Sequence, residues 1–191
     1  VVEAKTRPGE TVLTLGSGNV SVFGIQIAKI LGARVIVTSS SDAKLEKLRA
    51  LGADIGINYR SHPHWDREVL AQTGGRGADV VLNTIGYPTL EKCLLSCASN
   101  ARVMHIGARP VIGASAEPTT FKQLPNLISK CITIKGFTVA SRRAFEDFVQ
   151  AIEINRLKPV IDRVFGFDQA LEAIRYYESG AKIGKIVIRV N

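Results

Sequence analysis

The chain has 191 residues, of which 46% are hydrophobic and 22% are charged. These proportions are typical of a globular protein and exclude a disordered or fibrous chain. No apolar run approaches the roughly 20 residues that span a bilayer, and the first residues lack the pattern of a secretory signal, so no membrane partner is expected. The net charge of +8 is scattered and aromatic residues make up 6%, so a small phosphorylated ligand fits the charge and nucleic-acid binding is not expected.

Strands and helices alternate along most of the chain. A continuous apolar centre, as in residues 35–37, indicates a strand that is buried on both faces of a parallel sheet. The alternation therefore predicts an α/β fold, a Rossmann-type doubly wound parallel sheet. Predicted strands cover residues 11–15, 34–38, 54–57, 79–83, 101–106 and 132–137, predicted helices cover 20–31, 42–51, 66–72, 88–97 and 121–130, and a loop covers 107–120.

The last part of the chain has a different pattern. Residues 143–154 predict an amphipathic helix, 159–165 an extended segment, and 185–190 a final strand. Asp168 is predicted to cap a helix that ends near Ser179. We therefore divide the chain into a Rossmann domain over residues 1–140 and a C-terminal α/β tail over residues 141–191.

The strongest candidate site lies between the first strand and the first helix and reads Gly16-Ser17-Gly18-Asn19-Val20-Ser21. Gly16 permits a tight turn, and Gly18 lets a pyrophosphate approach the backbone at a helix N-terminus. Ser21 replaces the third glycine of the dinucleotide fingerprint, is small enough for close helix–strand packing and carries a hydroxyl donor. This loop predicts a dinucleotide site; the alternative is a glycine-rich turn that has lost its ligand.

The end of the second predicted strand bears on the choice of dinucleotide. NAD-specific sites place Asp or Glu there, about 20 residues beyond the loop, to hold the ribose 2′-hydroxyl. This chain has Ser39 and Ser40 at that point, with Lys44 one helical turn further on. Because a carboxylate would repel a 2′-phosphate, its absence favours NADP(H) over NAD(H). The alternative is that the serines only cap the next helix, a task that Ser41 or Asp42 can also perform.

Several motifs along the chain resemble one family. They are the glycine loop continued by Val22-Phe23, Leu51-Gly52-Ala53-Asp54 with Ile57-Asn58-Tyr59-Arg60, Thr73-Gly74-Gly75-Arg76-Gly77-Ala78-Asp79, Ser141-Arg142 and Gly184-Lys185-Ile186-Val187-Ile188. On these motifs the chain resembles the medium-chain dehydrogenase/reductase superfamily, and within it the zinc-type alcohol dehydrogenase-like proteins. The resemblance covers nearly the whole chain. Together with the preference for NADP(H) given above, it implies the cofactor-binding part of an NADP-dependent oxidoreductase of alcohol dehydrogenase or quinone reductase type, acting on a small-molecule substrate.

The resemblance also implies further cofactor contacts. One turn is similar to the fourth-strand turn that passes the adenosine ribose, and another segment to the one that faces the nicotinamide carboxamide. A third segment is similar to the one beside the nicotinamide ring. Two basic side chains lie where they could approach the phosphates. The alternative for each of the two is a solvated charge at the surface. These residues are Thr84, Ile85 and Gly86, then Ile106, Gly107 and Ala108, then Phe137, with Arg142 and Lys185 as the basic pair and Tyr59 as a further contact.

The family has a GroES-like catalytic domain, which carries the substrate pocket and, in zinc members, the metal ligands. Few residues precede the first strand, so we expect that domain to be absent from this chain. Catalytic residues therefore stay unassigned. Tyr59, Tyr87, His105 and Arg109 are candidates to face the cleft, but they form no recognisable acid–base pair.

No zinc site is expected either. His62 and His64 lack a matching Cys or His pair nearby, and Cys93 and Cys97 have the spacing of buried small residues on a helix. With Cys131, the chain has an odd number of cysteines, which argues against a disulfide scaffold and favours a reducing, cytoplasmic location.

In the family, the C-terminal tail packs on the catalytic domain, so the apolar residues of this tail need another cover. The strand over 132–137 resembles the edge at which family dimers join their sheets, so we expect a homodimer through this strand. Two other functions stay open. One is a repurposed short homologue that acts as a biosynthetic cyclase or isomerase without net redox chemistry; the other is a non-catalytic nucleotide-binding subunit.

Overall fold

The computed structural model describes residues 1–107 and 122–190. Ala108 and Arg109, which were predicted to face the nicotinamide and the cleft, lie outside the described residues. Most of the predicted loop over 107–120 lies outside them as well.

Six strands form one sheet in which all paired neighbours run parallel, in the order β3-β2-β1-β4-β5-β6. The chain builds one half of the sheet outward from β1, returns to the centre and builds the other half from β4. This order confirms the predicted doubly wound sheet of Rossmann type. The strands are β1 (Thr11–Leu15), β2 (Arg34–Ser39), β3 (Ile55–Asn58), β4 (Ala78–Asn83), β5 (Cys97–His105) and β6 (Thr133–Gly136).

Helices cover both faces of the sheet. They are α1 (Asn19–Ile30), α2 (Asp42–Ala50), α3 (Trp65–Gln72), α4 (Leu90–Leu95) and α5 (Leu124–Ser129). Successive strand residues point to opposite faces, so the apolar runs of the central strands supply two buried layers at once. One layer contains Val12, Val35, Val80, Ile25 and Leu48, and the other contains Leu13, Ile36, Val81, Val69 and Leu94.

The predicted helix over 88–97 is wrong in its extent. Tyr87–Thr89 forms a 3₁₀ turn, α4 covers only Leu90–Leu95, and β5 already begins at Cys97. Ala78 pairs with Cys97, and after an irregularity in the register Val80 pairs with Arg102. Pairing with β4 therefore draws residues 97–100 into the strand, which a helical apolar pattern does not reveal.

The tail contains α6 (Arg142–Ile154), β7 (Ile161–Gly166), α7 (Ala170–Glu178) and β8 (Lys185–Arg189), and β7 pairs with β8 in parallel. The predicted cap at Asp168 is wrong. Asp168 lies inside a 3₁₀ turn over Phe167–Gln169, and the N–H of Gly166 donates to Oε1 of Gln169 over 3.0 Å. The N-cap of this turn is therefore Gly166, two residues before Asp168.

The tail contacts the main domain through α1. The Phe23 and Phe148 rings meet edge to face with centroids 5.6 Å apart, and Nε2 of Gln26 donates to the Lys158 carbonyl over 3.2 Å. Other apolar side chains of the tail stay exposed, among them Leu171 and Phe167. Within the described ranges, every helix falls short of the length and apolar character that a bilayer crossing needs.

Candidate functional site

The glycine loop connects β1 to α1 at the C-terminal edge of the sheet. Gly16 has a φ of 79°, and its N–H donates to the Thr38 carbonyl of β2 over 2.8 Å. Gly18 stands at the N-cap of α1 with a φ of −73°. No described atom lies within 4 Å of the position that a Cβ would take on Gly18. The loop is therefore a cradle open to a ligand, at a helix end whose first N–H groups lack intrahelical partners.

Three predicted residues continue the loop into α1. Asn19 is partly exposed and Val20 is exposed, so both lie at the surface beside the cradle. Ser21 is buried, and its hydroxyl donates to the Leu15 carbonyl over 2.6 Å and lies 3.2 Å from Oγ1 of Thr84. The Ser21 hydroxyl therefore ties the start of α1 to the end of β1, and the Thr84 hydroxyl donates to the same Leu15 carbonyl.

The end of β2 lies next to the glycine loop. Ser39 is buried and Ser40 is partly exposed. Ser41 caps α2, since its Oγ accepts a hydrogen bond from the Lys44 N–H over 3.4 Å. Capping is therefore assigned to Ser41, and the two preceding serines are not needed for it. The N–H of Tyr59 donates to the Ser39 carbonyl over 3.0 Å, which places this tyrosine beside the end of β2.

Lys44 links this region to the tail. Its Nζ donates to the Gly180 carbonyl. Partial burial and the positive charge of Arg60 hold the pKa of Lys44 below its ordinary value, while Asp162 acts in the opposite direction. Two basic side chains thus lie near the end of β2, where the sequence lacks the carboxylate of an NAD-specific site.

The C-terminal ends of β4, β5 and β6 lie on the same edge of the sheet as the glycine loop. Thr84 donates from Oγ1 to the Leu15 carbonyl over 2.5 Å, and Cδ1 of Ile85 lies 3.7 Å from the Cβ position of Gly16. A Cβ on Gly107 would lie 2.5 Å from the backbone carbonyl oxygen of Thr84 and 2.6 Å from the backbone nitrogen of Gly86. The turn after β4 therefore touches both the glycine loop and the segment after β5.

Ile106 and Phe137 follow β5 and β6 and are partly exposed. Both pack against the buried layer that contains Ile25, and the N–H of Phe137 donates to the His105 carbonyl over 3.0 Å. The structure thus brings the predicted nicotinamide-facing segments to one edge of the sheet, the same edge that carries the glycine loop.

The tail crosses this edge at Gly184. The Gly184 N–H donates to the Ser17 carbonyl over 3.0 Å, and Gly184 forms a parallel bridge with Gly18. The next residue, Lys185, is exposed beside the loop. Arg142 begins α6, and its Nε donates to Oε1 of Glu146 over 2.9 Å on the same helix. Of the two basic candidates, Lys185 is the one that adjoins a direct contact with the glycine loop.

Sequence patterns alone did not single out Asn83, the last residue of β4. Asn83 is fully buried, and its side chain bonds to both the N–H and the carbonyl of Gly86. The signal that could have found it was an amide side chain at the end of an otherwise apolar strand, directly before a predicted cofactor turn.

The residues that the structure describes do not fit a zinc site. In the described part of the chain, no three His, Cys, Asp or Glu side chains form a group suited to a metal. Cys93 and Cys97 are buried, and burial raises the pKa of Cys97 to about 12 although Lys130 opposes it. His62 bonds through Nδ1 to the Ser61 hydroxyl over 3.0 Å.

The strand order, the open glycine cradle and the strand ends that meet beside it define an α/β domain of the dinucleotide-binding class. The profile described as zinc-binding dehydrogenase matches residues 20–154. The chain belongs to this family, within the medium-chain dehydrogenase/reductase superfamily, and corresponds to its cofactor-binding half.

Individual relatives agree with this assignment. A zinc-type alcohol dehydrogenase-like protein of Schizosaccharomyces pombe is 38% identical over 189 residues, which are 99% of this chain and 54% of that protein. A crystal structure of an NAD-dependent alcohol dehydrogenase is 36% identical with a TM-score of 0.87, covering 100% of this chain and 54% of that one. The quinone oxidoreductase of Thermus thermophilus, solved also with NADPH, is 27% identical with a TM-score of 0.78, covering 99% and 60%. The chain thus spans about half the length of the relatives it matches.

Proposed function

We propose that the chain binds NADP(H) across the C-terminal edge of its six-stranded sheet, as the cofactor-binding part of an oxidoreductase of alcohol dehydrogenase or quinone reductase type. The observation that carries the proposal is the open cradle at Gly18, where the Cβ position has no described atom within 4 Å. A dinucleotide pyrophosphate fits such a cradle because it needs close approach to backbone N–H groups at a helix N-terminus. Membership in the zinc-binding dehydrogenase family supports the same function.

In this proposal, the glycine loop and the segments after β5 and β6 bind different parts of the dinucleotide. The N-terminus of α1 binds the pyrophosphate, with Lys185 next to the loop as a second positive charge. The segments that contain Ile106 and Phe137 orient the nicotinamide and exclude water from one side of its ring. The nicotinamide supplies the hydride chemistry when it is bound. No step is assigned to zinc, because the described residues offer no fitting ligand set.

The preference for NADP(H) rests on charge. The end of β2 carries Ser39 and Ser40 in place of a carboxylate, and the positive charges of Lys44 and Arg60 lie near it, with Asp162 as a negative charge close to Lys44. A 2′-phosphate replaces the Gly180 carbonyl as the partner of Lys44 in this proposal, because a charged acceptor binds an ammonium group more strongly than a neutral one. The relatives include a protein named as NAD-dependent and one solved with NADPH, so the preference is a proposal for this chain.

Calorimetric titration with NADPH and NADH, on the wild type and on Gly18→Asp, tests the proposal. Gly18 has backbone angles that any residue adopts, and Asp is a favourable N-cap, so the variant is expected to melt no lower than the wild type. Its carboxylate occupies the cradle and repels the pyrophosphate. We expect micromolar binding of NADPH by the wild type, weaker binding of NADH, and loss of both in the variant. A folded wild type that binds neither nucleotide would overturn the proposal.

Two further properties of the proposed enzyme concern its assembly and location. Among the described residues, β6 is an edge strand that pairs with β5 on one side and with no strand on the other, where the same strand of a second copy can add. We propose a homodimer through β6, and light scattering at micromolar concentration checks it, a monomeric mass being the contrary result. The odd number of cysteines supports a reducing, cytoplasmic location.

Turnover separates the proposed oxidoreductase from the other functions. Consumption of reduced nicotinamide with a small aldehyde or enone, or its formation from oxidised nicotinamide with a small alcohol, supports the oxidoreductase. Binding of nucleotide without either redox change under all of these conditions favours a nucleotide-binding subunit or an enzyme without net redox chemistry.

A further inference from the structure

The C-terminal tail crosses the proposed dinucleotide site in residues 180–185, called the crossing segment from here on. Ile183 of this segment is buried, and the N–H of Gly184 donates to the Ser17 carbonyl of the glycine loop over 3.0 Å. A Cβ on Gly184 would collide with the Val160 carbonyl oxygen, so the chain that leads into β7 packs closely against the same residue. The crossing segment therefore has a fixed position beside the glycine loop.

The crossing segment also contacts the region at the end of β2. The Gly180 carbonyl accepts from Nζ of Lys44 in the first turn of α2. Lys182 lies two residues after this contact and two residues before the contact of Gly184 with the glycine loop. Its own carbonyl accepts from the Ser17 hydroxyl over 3.5 Å. Lys182 thus stands between the proposed place of the 2′-phosphate and that of the pyrophosphate.

The side chain of Lys182 is partly exposed and has neutral partners that are close in sequence. Its Nζ donates to the Gly184 carbonyl over 3.3 Å and lies 4.8 Å from the centroid of the Tyr177 ring. Both partners belong to the tail itself. The ammonium group can therefore turn toward a ligand without breaking a contact between the tail and the main domain.

Lys182 belongs to a group of like charges. Burial holds the pKa of Lys182 below its ordinary value, and the positive charges of Lys44 and Lys185 act in the same direction, while Asp162 opposes them. Like charges that influence one another repel, and an anion bound between them removes this cost. A phosphate monoester fits the role, because it has close to two negative charges at neutral pH and three oxygens that accept hydrogen bonds.

We infer that Lys182 is a second binding residue for the 2′-phosphate, beside Lys44, and thereby a determinant of the preference for NADP(H). This inference rests on the proposed function. The phosphate replaces the Gly184 carbonyl as the acceptor of Lys182, because an ionised acceptor binds an ammonium group more strongly than a neutral one. NADH has a neutral hydroxyl at this position and gains nothing from the charge. The tail therefore contributes to nucleotide selection, a role that the pattern at the end of β2 does not indicate.

The variant Lys182→Gln tests this inference by calorimetric titration with NADPH and with NADH. It removes the charge and leaves the backbone contacts of the crossing segment in place, so the variant is expected to melt within about 2 °C of the wild type. We expect NADPH to bind about tenfold more weakly, as for the loss of one hydrogen bond to a charged group, and NADH to stay within about twofold. Lys158→Gln, an exposed position of the tail before β7, is the matched control and leaves both affinities unchanged.

Two further exchanges at the same position separate charge from packing. Lys182→Arg keeps a positive charge that can bind a phosphate, so NADPH is expected to bind within about threefold of the wild type. Lys182→Met keeps the apolar stem beside Tyr177 and removes the charge, so it is expected to repeat the loss seen with Gln. If Lys182→Gln does not fold, the comparison of Met with Arg gives the same test.

The outcomes are distinct. A wild type that binds neither nucleotide means that the proposed function has failed, and this inference falls with it. A wild type that prefers NADPH, combined with a Lys182→Gln variant that keeps both affinities, overturns this inference alone. Equal weakening of both nucleotides also overturns it, because the lysine then acts on the shared pyrophosphate or on the packing of the tail. Selective loss of NADPH binding in the Gln and Met variants, with recovery in Lys182→Arg, supports it.

Discussion

Gly107→Ala probes the contact between the ends of β4 and β5. The new Cβ would lie 2.5 Å from the backbone carbonyl oxygen of Thr84 and 2.6 Å from the backbone nitrogen of Gly86. It would also collide with the carbonyl carbon of Ile85. Favourable contacts of a carbon lie at roughly 3.5 to 4.0 Å, so the two segments must separate by about 1 Å. All three obstacles are backbone atoms, which no change of side-chain rotamer can remove.

The cost of this separation follows from what holds the segments together. Overpacking of a well-filled site costs about 1–3 kcal/mol, and the bond from the Gly107 N–H to the Asn83 carbonyl is strained or lost for about 1 kcal/mol more. We therefore expect the free energy of unfolding to fall by about 3 kcal/mol. For a chain of this size, that change corresponds to a melting temperature about 6–12 °C lower.

Gly136→Ala is the matched control. Gly136 ends β6 and pairs in register with His105, yet its Cβ position meets no described atom within 4 Å. The same exchange there is expected to change stability by no more than about 0.5 kcal/mol. Thermal melts followed by circular dichroism compare the two variants with the wild type. A Gly107→Ala variant that melts within about 2 °C of the wild type would refute the close approach of the two strand ends.

Two further predictions concern charge and thiol chemistry. Lys44→Gln is expected to weaken NADPH binding by about tenfold or more and to leave NADH binding unchanged. Lys47→Gln, an exposed position on the same helix, is the control and is expected to leave both affinities unchanged. Calorimetric titration of both variants with both nucleotides measures these affinities. Iodoacetamide is expected to modify the exposed Cys131 in the native protein. Cys93 and Cys97 are expected to stay unmodified, because they are buried and burial raises the pKa of both thiols. In denaturant, all three thiols are expected to react. Mass spectrometry counts the modified thiols, and rapid labelling of three in the native state would contradict the burial.

Local sequence signals were sufficient for much of the fold. The apolar run of β2 predicted a strand buried on both faces, and the structure buries its apolar residues almost completely. The apolar run of β1 predicted a strand, which the structure also has. Gly16 predicted the tight turn and has a positive φ, and Ser41 was one of two predicted caps of α2. These features depend on residues close in sequence, so a pattern of a few residues contains the necessary information.

Features that depend on distant residues were missed. The start of β5 at Cys97 depends on pairing with β4. The buried side chain of Asn83 contacts a histidine 22 positions further on. None of these partners is indicated by the local pattern around the residue.

The sequence by itself determined the α/β class, the parallel sheet and the glycine loop, because burial periodicity and turn chemistry act over short stretches of chain. The tertiary structure decided which strand ends meet, that the tail crosses the glycine loop at Gly184, and that Lys44 reaches the Gly180 carbonyl. These contacts join residues far apart in the chain, as in the case of Lys44 with a separation of 136. Only packing of the whole chain selects such contacts, since many long-range pairings are compatible with the same local preferences.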